Sequence, residues 1–229
     1  MNYEGLKDDI MTMLSGEEVY VNTNTFQNDF GTIGSKDEAL TALIHLGYLG
    51  YDADRKSSFI PNYEVKTAFD AALQTGEWKE IGKAISKCDE LLDETIDGNA
   101  EKVAEIIEQA HETYTSVLKY NDENSLAVSI GLAFYSARKE YNVVREMPAG
   151  EGFADMVFLP KYNVVKPPMI IELKWDRDAE TAISQIKEKK YPESLGRYKG
   201  EVILIGISYE KDGPDAKKHY CTIEKIELE

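Results

Sequence analysis

The sequence is short of cysteine and histidine, and it has no long apolar run. Cys88 and Cys221 lie far apart in unlike surroundings, which predicts reduced, buried thiols rather than a disulfide framework. The three histidines and two cysteines never approach the spacing of zinc ligands along the chain, so we expect no zinc site. Without a membrane-length apolar run or an apolar signal core at its acidic N-terminus, the chain is expected to be cytoplasmic and to bind no membrane.

Basic residues, 26 in number, are outnumbered by 42 acidic ones, and the net charge of −16 argues against simple electrostatic binding to nucleic acid. The acidic excess is uneven, however. Residues 123–229 carry 18 acidic and 16 basic side chains, so this part is nearly neutral. The acidic first half is therefore expected to face protein partners rather than phosphates.

The pattern of apolar residues and turn signals predicts three parts. Residues 1–75 read as helix, hairpin and helix, which has the outline of a small winged-helix-like module. Ser35 is the expected N-cap of its second helix, with Glu38 completing a capping box. Residues 76–122 are expected to form a helical connector, with helices over 78–88 and 100–120. Residues 123–229 are expected to form an α/β domain.

Strands and helices alternate in the α/β domain. A helix over 123–140 is expected to precede strands at 141–145, 153–159 and 169–175. A basic amphipathic helix over 178–191 then leads to strands at 201–209 and 219–226. This order predicts a mixed central sheet flanked by helices.

Two of these strands carry charged residues in apolar surroundings. Asp155 lies in one apolar run, and Glu172 and Lys174 lie in the next. Alternate residues of a strand share a face, so Glu172 and Lys174 project together, and burying them is costly unless they are paired or used. Asp155 and Glu172 could bind Mg²⁺ or Mn²⁺ beside Lys174, which would orient water or stabilise developing charge. A purely structural Glu172–Lys174 ion pair is the alternative.

Five further polar residues are candidates for the same site, each with an ordinary explanation. Glu123 begins a helix, where the helix dipole favours an acid, but it could also be a third carboxylate near the metal. Gln185, with Lys189 one turn further along the basic helix, is a good helix former that needs no special role, but it could also hydrogen-bond a nucleotide or order Lys174. Tyr191 and Arg145 could contact phosphates or simply pack.

Taken together, these motifs resemble the PD-(D/E)XK nuclease superfamily. The resemblance depends on Gly152-x-x-Asp155, Ile171-Glu172-Leu173-Lys174, Gln185-Ile186 and Tyr191-Pro192, with the Glu123 helix before them. In particular, they resemble the nuclease-like domain at the C-terminal end of bacterial AAA-ATPase-like proteins. Residues 22–29, 42–49 and 60–65 resemble the segment that follows the ATPase core in the same proteins.

The resemblance implies a restriction-endonuclease-like fold and a role for each candidate. Asp155 and Glu172 would bind the metal, Lys174 would be the catalytic lysine, Glu123 an accessory acid and Gln185 a supporting polar residue. Two features depart from the family pattern. The sequence has no glycine-rich phosphate loop ending in Gly-Lys-Ser or Gly-Lys-Thr, so the ATPase core is absent, and we expect a part or derivative of a longer protein. Phe153 stands where relatives usually carry a basic residue, which removes one expected phosphate contact.

Three functions of different classes follow from these observations. The first is a Mg²⁺-dependent endo- or exonuclease that hydrolyses phosphodiester bonds, with DNA as the expected substrate. The second is a catalytically inactive nuclease-fold module that regulates or binds an ATPase or another protein through the acidic N-terminal part. The third makes residues 1–75 a reader of nucleic acid, but its presumed reading helix has one lysine and no arginine.

Overall fold

A computed structural model describes residues 3–26, 33–73, 88–115, 123–196, 198–210 and 218–229. The chain divides into two compact units. The first unit comprises Met1–Lys83 and Thr113–Lys119, and the second comprises Ala84–Glu112 and Tyr120–Glu229. The three-part division expected from the sequence remains a prediction. No helix within the described ranges is long and apolar enough to cross a bilayer.

The first unit combines short helices with a small antiparallel sheet. Helices α1, α2 and α3 span Leu6–Leu14, Lys36–His45 and Tyr63–Leu73, and strands β1, β2 and β3 span Val19–Tyr20, Gly50–Asp52 and Ser57–Phe59. The sheet order is β1-β3-β2. At the N-terminus of α2 the Ser35 hydroxyl accepts a hydrogen bond from the Glu38 backbone N–H at 3.3 Å. The predicted cap is therefore present, although the Glu38 carboxylate accepts from Gly34 N–H at 2.7 Å rather than from Ser35.

The helices of the second unit precede and interrupt a larger sheet. Helices α4, α5 and α6 span Cys88–Asp97, Ala100–Thr115 and Glu123–Ala133, and α7 spans Ala179–Glu188. Short 3₁₀ turns at Tyr135–Lys139 and Tyr191–Leu195 follow α6 and α7. The predicted helix over 123–140 is thus wrong in its last third. The predicted helix over 78–88, apart from Cys88, and the end of the one over 100–120 lie outside the described residues.

The five strands form one mixed sheet, as the sequence predicted. Strands β4 to β8 span Tyr141–Ala149, Gly152–Pro160, Met169–Trp175, Gly200–Tyr209 and His219–Leu228. They lie in the order β4-β5-β6-β7-β8, and β6 pairs with β7 in parallel while the other pairs are antiparallel. A parallel pair needs a crossover connection, which α7 and the turn after it supply. The restriction-endonuclease-like fold class is therefore confirmed for this unit.

Burial follows the position of each strand. Residues of β6 and β7 are almost continuously buried, as expected for strands covered by helices on both faces. On one face Ile183 and Ile186 of α7 pack with Ile170 and Leu204 of the sheet. On the other face Phe134, just after α6, packs edge-on against Phe158. Polar residues inside this sandwich therefore need a partner or a function. Neither cysteine forms a disulfide; Cys88 is buried as expected, while Cys221 is partly exposed.

Candidate active site

Strands β5 and β6 separate at the place where Asp155 lies. Their ladder pairs Met156 with Ile171 and has no pair beyond it in the direction of Asp155. The Asp155 carboxylate instead accepts a hydrogen bond from the Leu173 backbone N–H at 2.7 Å. A side-chain oxygen thereby satisfies a donor that a continuous ladder would have used. The half-buried Asp155 is consequently held against β6, next to Glu172.

Glu172 and Lys174 project from the same face of β6. The Lys174 Nζ donates to the Glu172 Oε1 at 2.9 Å, and the two side chains are 10% and 2% exposed. The predicted convergence of the charged residues from β5 and β6 is thus present in the structure. Glu172 and Lys174 lie on the face covered by α7, since Ile170, two residues earlier, packs against that helix.

Helix α7 supplies the next partner of Glu172. The Gln185 Nε2 donates to the same Glu172 Oε1 that Lys174 contacts. Gln185 also donates to the Tyr191 hydroxyl at 3.3 Å, and that hydroxyl donates to the Phe153 carbonyl at 2.8 Å. Four elements (β5, β6, α7 and the following 3₁₀ turn) are therefore linked by one polar chain.

A glycine that sequence analysis overlooked allows α7 to reach the site. Gly206 of β7 is the register partner of Glu172. A Cβ at this position would overlap the Ala179 carbonyl oxygen and lie 3.0 Å from the Ala182 Cβ, so any larger residue would push α7 away. The close approach of α7 places Gln185 directly over Glu172. An isolated glycine inside an apolar strand was the available signal.

The electrostatics of the site are dominated by Glu172. Burial, and secondly the negative charge of Asp155, raise the pKa of Glu172 to about 7, against the opposing effects of Lys174 and the Asp155 backbone amide. The Glu172 Oε1 accepts two hydrogen bonds, whereas the buried Oε2 has no partner in hydrogen-bond geometry among the described residues. A buried acceptor without a hydrogen bond lowers the stability of the folded protein. A cation beside Glu172 would favour the ionised carboxylate and would give the Oε2 a partner.

Three other residues predicted for the site do not contact Glu172 in the described part of the structure. Glu123 begins α6 as predicted, but its side chain lies outside the described part of the chain. Arg145 pairs with Met156, which pairs with Ile171, so its register position is on the face opposite to Glu172. Lys189 is the exposed C-cap of α7, and its carbonyl accepts a hydrogen bond from Glu151 N–H at 2.8 Å. Their expected roles in catalysis or substrate binding remain predictions.

The structure also contains a cluster that sequence analysis missed. Glu108 and His111 of α5 meet His219 at the start of β8, and one potential ligand atom of each lies within 4.8 Å of the others. The expected absence of a zinc site was based on spacing along the chain, which did not reveal that these potential ligands meet in the fold. The only available sequence signal was a Glu-x-x-His pair on a helix, whose members share one helical face.

Comparison with known families agrees with this architecture. Residues 121–214 match the family model described as the PD-(D/E)XK nuclease superfamily. The matched segment begins near α6, ends after β7 and contains Asp155, Glu172, Lys174 and Gln185. The resemblance read from the sequence is thereby confirmed for this segment, whereas the AAA-ATPase context remains a prediction. No curated protein matches the chain.

Proposed function

We propose that the second unit hydrolyses phosphodiester bonds, with DNA as the substrate class, and that Asp155 and Glu172 hold the divalent cation it needs. The observation that carries this proposal is the buried Glu172 Oε2, which has no partner in hydrogen-bond geometry within the described ranges. The half-buried Asp155 carboxylate lies beside Glu172, and its negative charge raises the pKa of Glu172 further. Two carboxylates with water are the ligand set that Mg²⁺ or Mn²⁺ prefers.

The cation, when bound, supplies Lewis acidity and lowers the pKa of water that it coordinates. The protein residues do the positioning. Gln185 and Lys174 both donate to the Glu172 Oε1, which leaves the Oε2 as the oxygen available for a ligand. Asp155 is oriented by the Leu173 backbone N–H. Lys174 brings positive charge to the edge of the site, where it can stabilise negative charge that develops on a phosphoryl group.

A catalytically inactive module is the second candidate, and one observation favours it. The Lys174–Glu172 ion pair is almost fully buried, so the two charges already neutralise each other. The acidic first half of the chain would then serve protein partners, for which an AAA-ATPase is our expectation from the sequence. If the buried pair only stabilises the fold, the protein would bind no cation at this site and would not hydrolyse a substrate.

The test is cation binding and cleavage in matched variants. We expect Mn²⁺ binding by calorimetry and cleavage of DNA in Mg²⁺ or Mn²⁺, with RNA tested alongside. Asp155→Asn should weaken cation binding, whereas Lys174→Ala should retain it and lose at least about 100-fold in turnover. Lys187→Ala is the control, because this lysine of α7 pairs with Glu224 on the surface. A chain that binds neither cation and cuts neither DNA nor RNA would refute the nuclease proposal and favour the inactive module.

A further inference from the structure

We propose that Glu108, His111 and His219 bind a divalent transition-metal ion of the Zn²⁺ class at a second site, separate from Asp155 and Glu172. Two imidazoles and one carboxylate form a ligand set that Zn²⁺ and its neighbours in the first transition row prefer, whereas Mg²⁺ prefers oxygen alone. The three potential ligand atoms already lie within 4.8 Å of one another. An ion bound among these three residues would complete its coordination with water.

The backbone holds the three residues in place. Glu108 and His111 are three residues apart on α5 and share a face of that helix. The Glu108 Oε2 accepts hydrogen bonds from the backbone N–H groups of Lys218 and His219, each at 2.8 Å, and lies 2.9 Å from the His219 Nδ1. One carboxylate thus ties the helix to the first residues of β8 and holds the His219 imidazole beside it.

The two imidazoles are rigidly packed rather than displayed on the surface. His111 is 6% exposed and His219 is fully buried. Their ring centroids are 4.6 Å apart at an interplanar angle of 87°, and the Tyr209 ring lies 5.1 Å from each of them. Trp175 covers Tyr209 in turn, with centroids 4.6 Å apart. Ligands held in this way lose little conformational freedom when an ion binds.

The sheet separates this cluster from the nuclease-like site. Tyr209 pairs with both Trp175 and His219, while the neighbouring Lys174 pairs with Ser208. Because adjacent residues of a strand face opposite sides, the histidine cluster lies on the face opposite to Glu172 and Lys174. One ion cannot serve both places. The inferred site joins α5 to the last strand of the sheet, so an ion bound there would stabilise the fold.

The experiment uses the full chain, freed of metal by a chelator and titrated with Co²⁺ as a spectroscopic substitute for Zn²⁺. We expect one Co²⁺ to produce the intense visible bands of a low-coordinate nitrogen and oxygen site. The same bands should persist in the Asp155→Asn, Glu172→Gln double variant, which lacks both carboxylates of the other site. His111→Phe keeps an aromatic ring against Tyr209 and removes the ligand nitrogen, so it should weaken binding by at least about 100-fold.

Two further measurements use the unchanged chain and therefore do not depend on the folding of a variant. In the unchanged chain, Zn²⁺ should shift the imidazole NMR signals of His111 and His219 and leave those of His45, which lies in α2, unchanged. Zn²⁺ at about 100 times its dissociation constant should raise the unfolding midpoint by about 5–10 °C. The proposal is overturned if Co²⁺ gives no such bands, if the double variant abolishes them, or if Zn²⁺ leaves the signals of His111 and His219 in place. Loss of cleavage in the double variant with the bands retained would separate the two sites.

Discussion

Replacing Gly206 with alanine is expected to lift helix α7 from the sheet and to disturb the candidate nuclease site. The added Cβ would overlap the Ala179 carbonyl oxygen, and it would lie 3.2 Å from the Ala179 carbonyl carbon and 3.0 Å from the Ala182 Cβ. The oxygen and carbon belong to the backbone of α7, which cannot rotate away as a side chain can. The helix itself must therefore move.

The expected cost follows from two opposing effects. Overpacking of a close-packed interior costs about 3 kcal/mol at the upper end of its usual range. Alanine also has less conformational entropy than glycine in the unfolded chain, which stabilises the folded state by about 0.7 kcal/mol. We therefore expect the free energy of unfolding to fall by about 2 kcal/mol. With a urea dependence of about 2 kcal/mol per molar, the midpoint should fall by about 1 M.

The measurement is urea unfolding followed by tryptophan fluorescence in a Trp78→Phe background, which leaves Trp175 in the second unit as the reporter. Gly196→Ala is the matched control. Gly196 has φ −53°, and its added Cβ would meet only the Glu193 carbonyl oxygen at 3.4 Å, an ordinary contact. It should be neutral or stabilising by about 0.5 kcal/mol. Gly206→Ala should also weaken Mn²⁺ binding, because Gln185 moves with α7. Equal stability and equal Mn²⁺ affinity in the two variants would refute the reasoning.

Two further predictions concern buried hydrogen bonds. Burial opposes ionisation of Glu108, but hydrogen bonds from His219 and Lys218 outweigh it and lower its pKa to about 2. The lowered pKa adds about 3 kcal/mol to the free energy of unfolding above pH 4.5, and this stabilisation is lost as the pH falls toward 2. Urea unfolding of the metal-free protein at a series of pH values should show this loss, and Glu108→Gln should show a smaller loss. Identical pH profiles for the two proteins would contradict the prediction. Tyr191→Phe removes the hydroxyl that donates to the Phe153 carbonyl at 2.8 Å and should cost about 1 kcal/mol by the same assay. Tyr162→Phe, at a residue 94% exposed, should cost nothing, and an equal cost in both would argue against the inferred role of the hydrogen bond.

A regular apolar pattern made strand β6 predictable to the residue. Its bounds are the residues 169–175 that the sequence indicated, because an apolar run interrupted only by Glu172 and Lys174 leaves little choice of structure. The end of α6 was not predictable in this way. The helix ends at Ala133, two residues after Gly131, and Phe134 leaves helical geometry while its ring packs on Phe158. The low helix propensity of Gly131 and the tertiary packing of Phe134 both favour an end at this point.

By itself the sequence determined that Glu172 and Lys174 share a face of an apolar strand, because alternation along a strand is a local property. It also contains the carboxylates and the lysine that we propose for the nuclease site. Only the tertiary structure decided that Gln185 reaches Glu172, since this contact depends on the space left above Gly206. The meeting of Glu108 with His219, 111 positions along the chain, likewise depends on how a helix and an edge strand pack. Such contacts join distant segments through shape and burial, which no local pattern of residues encodes.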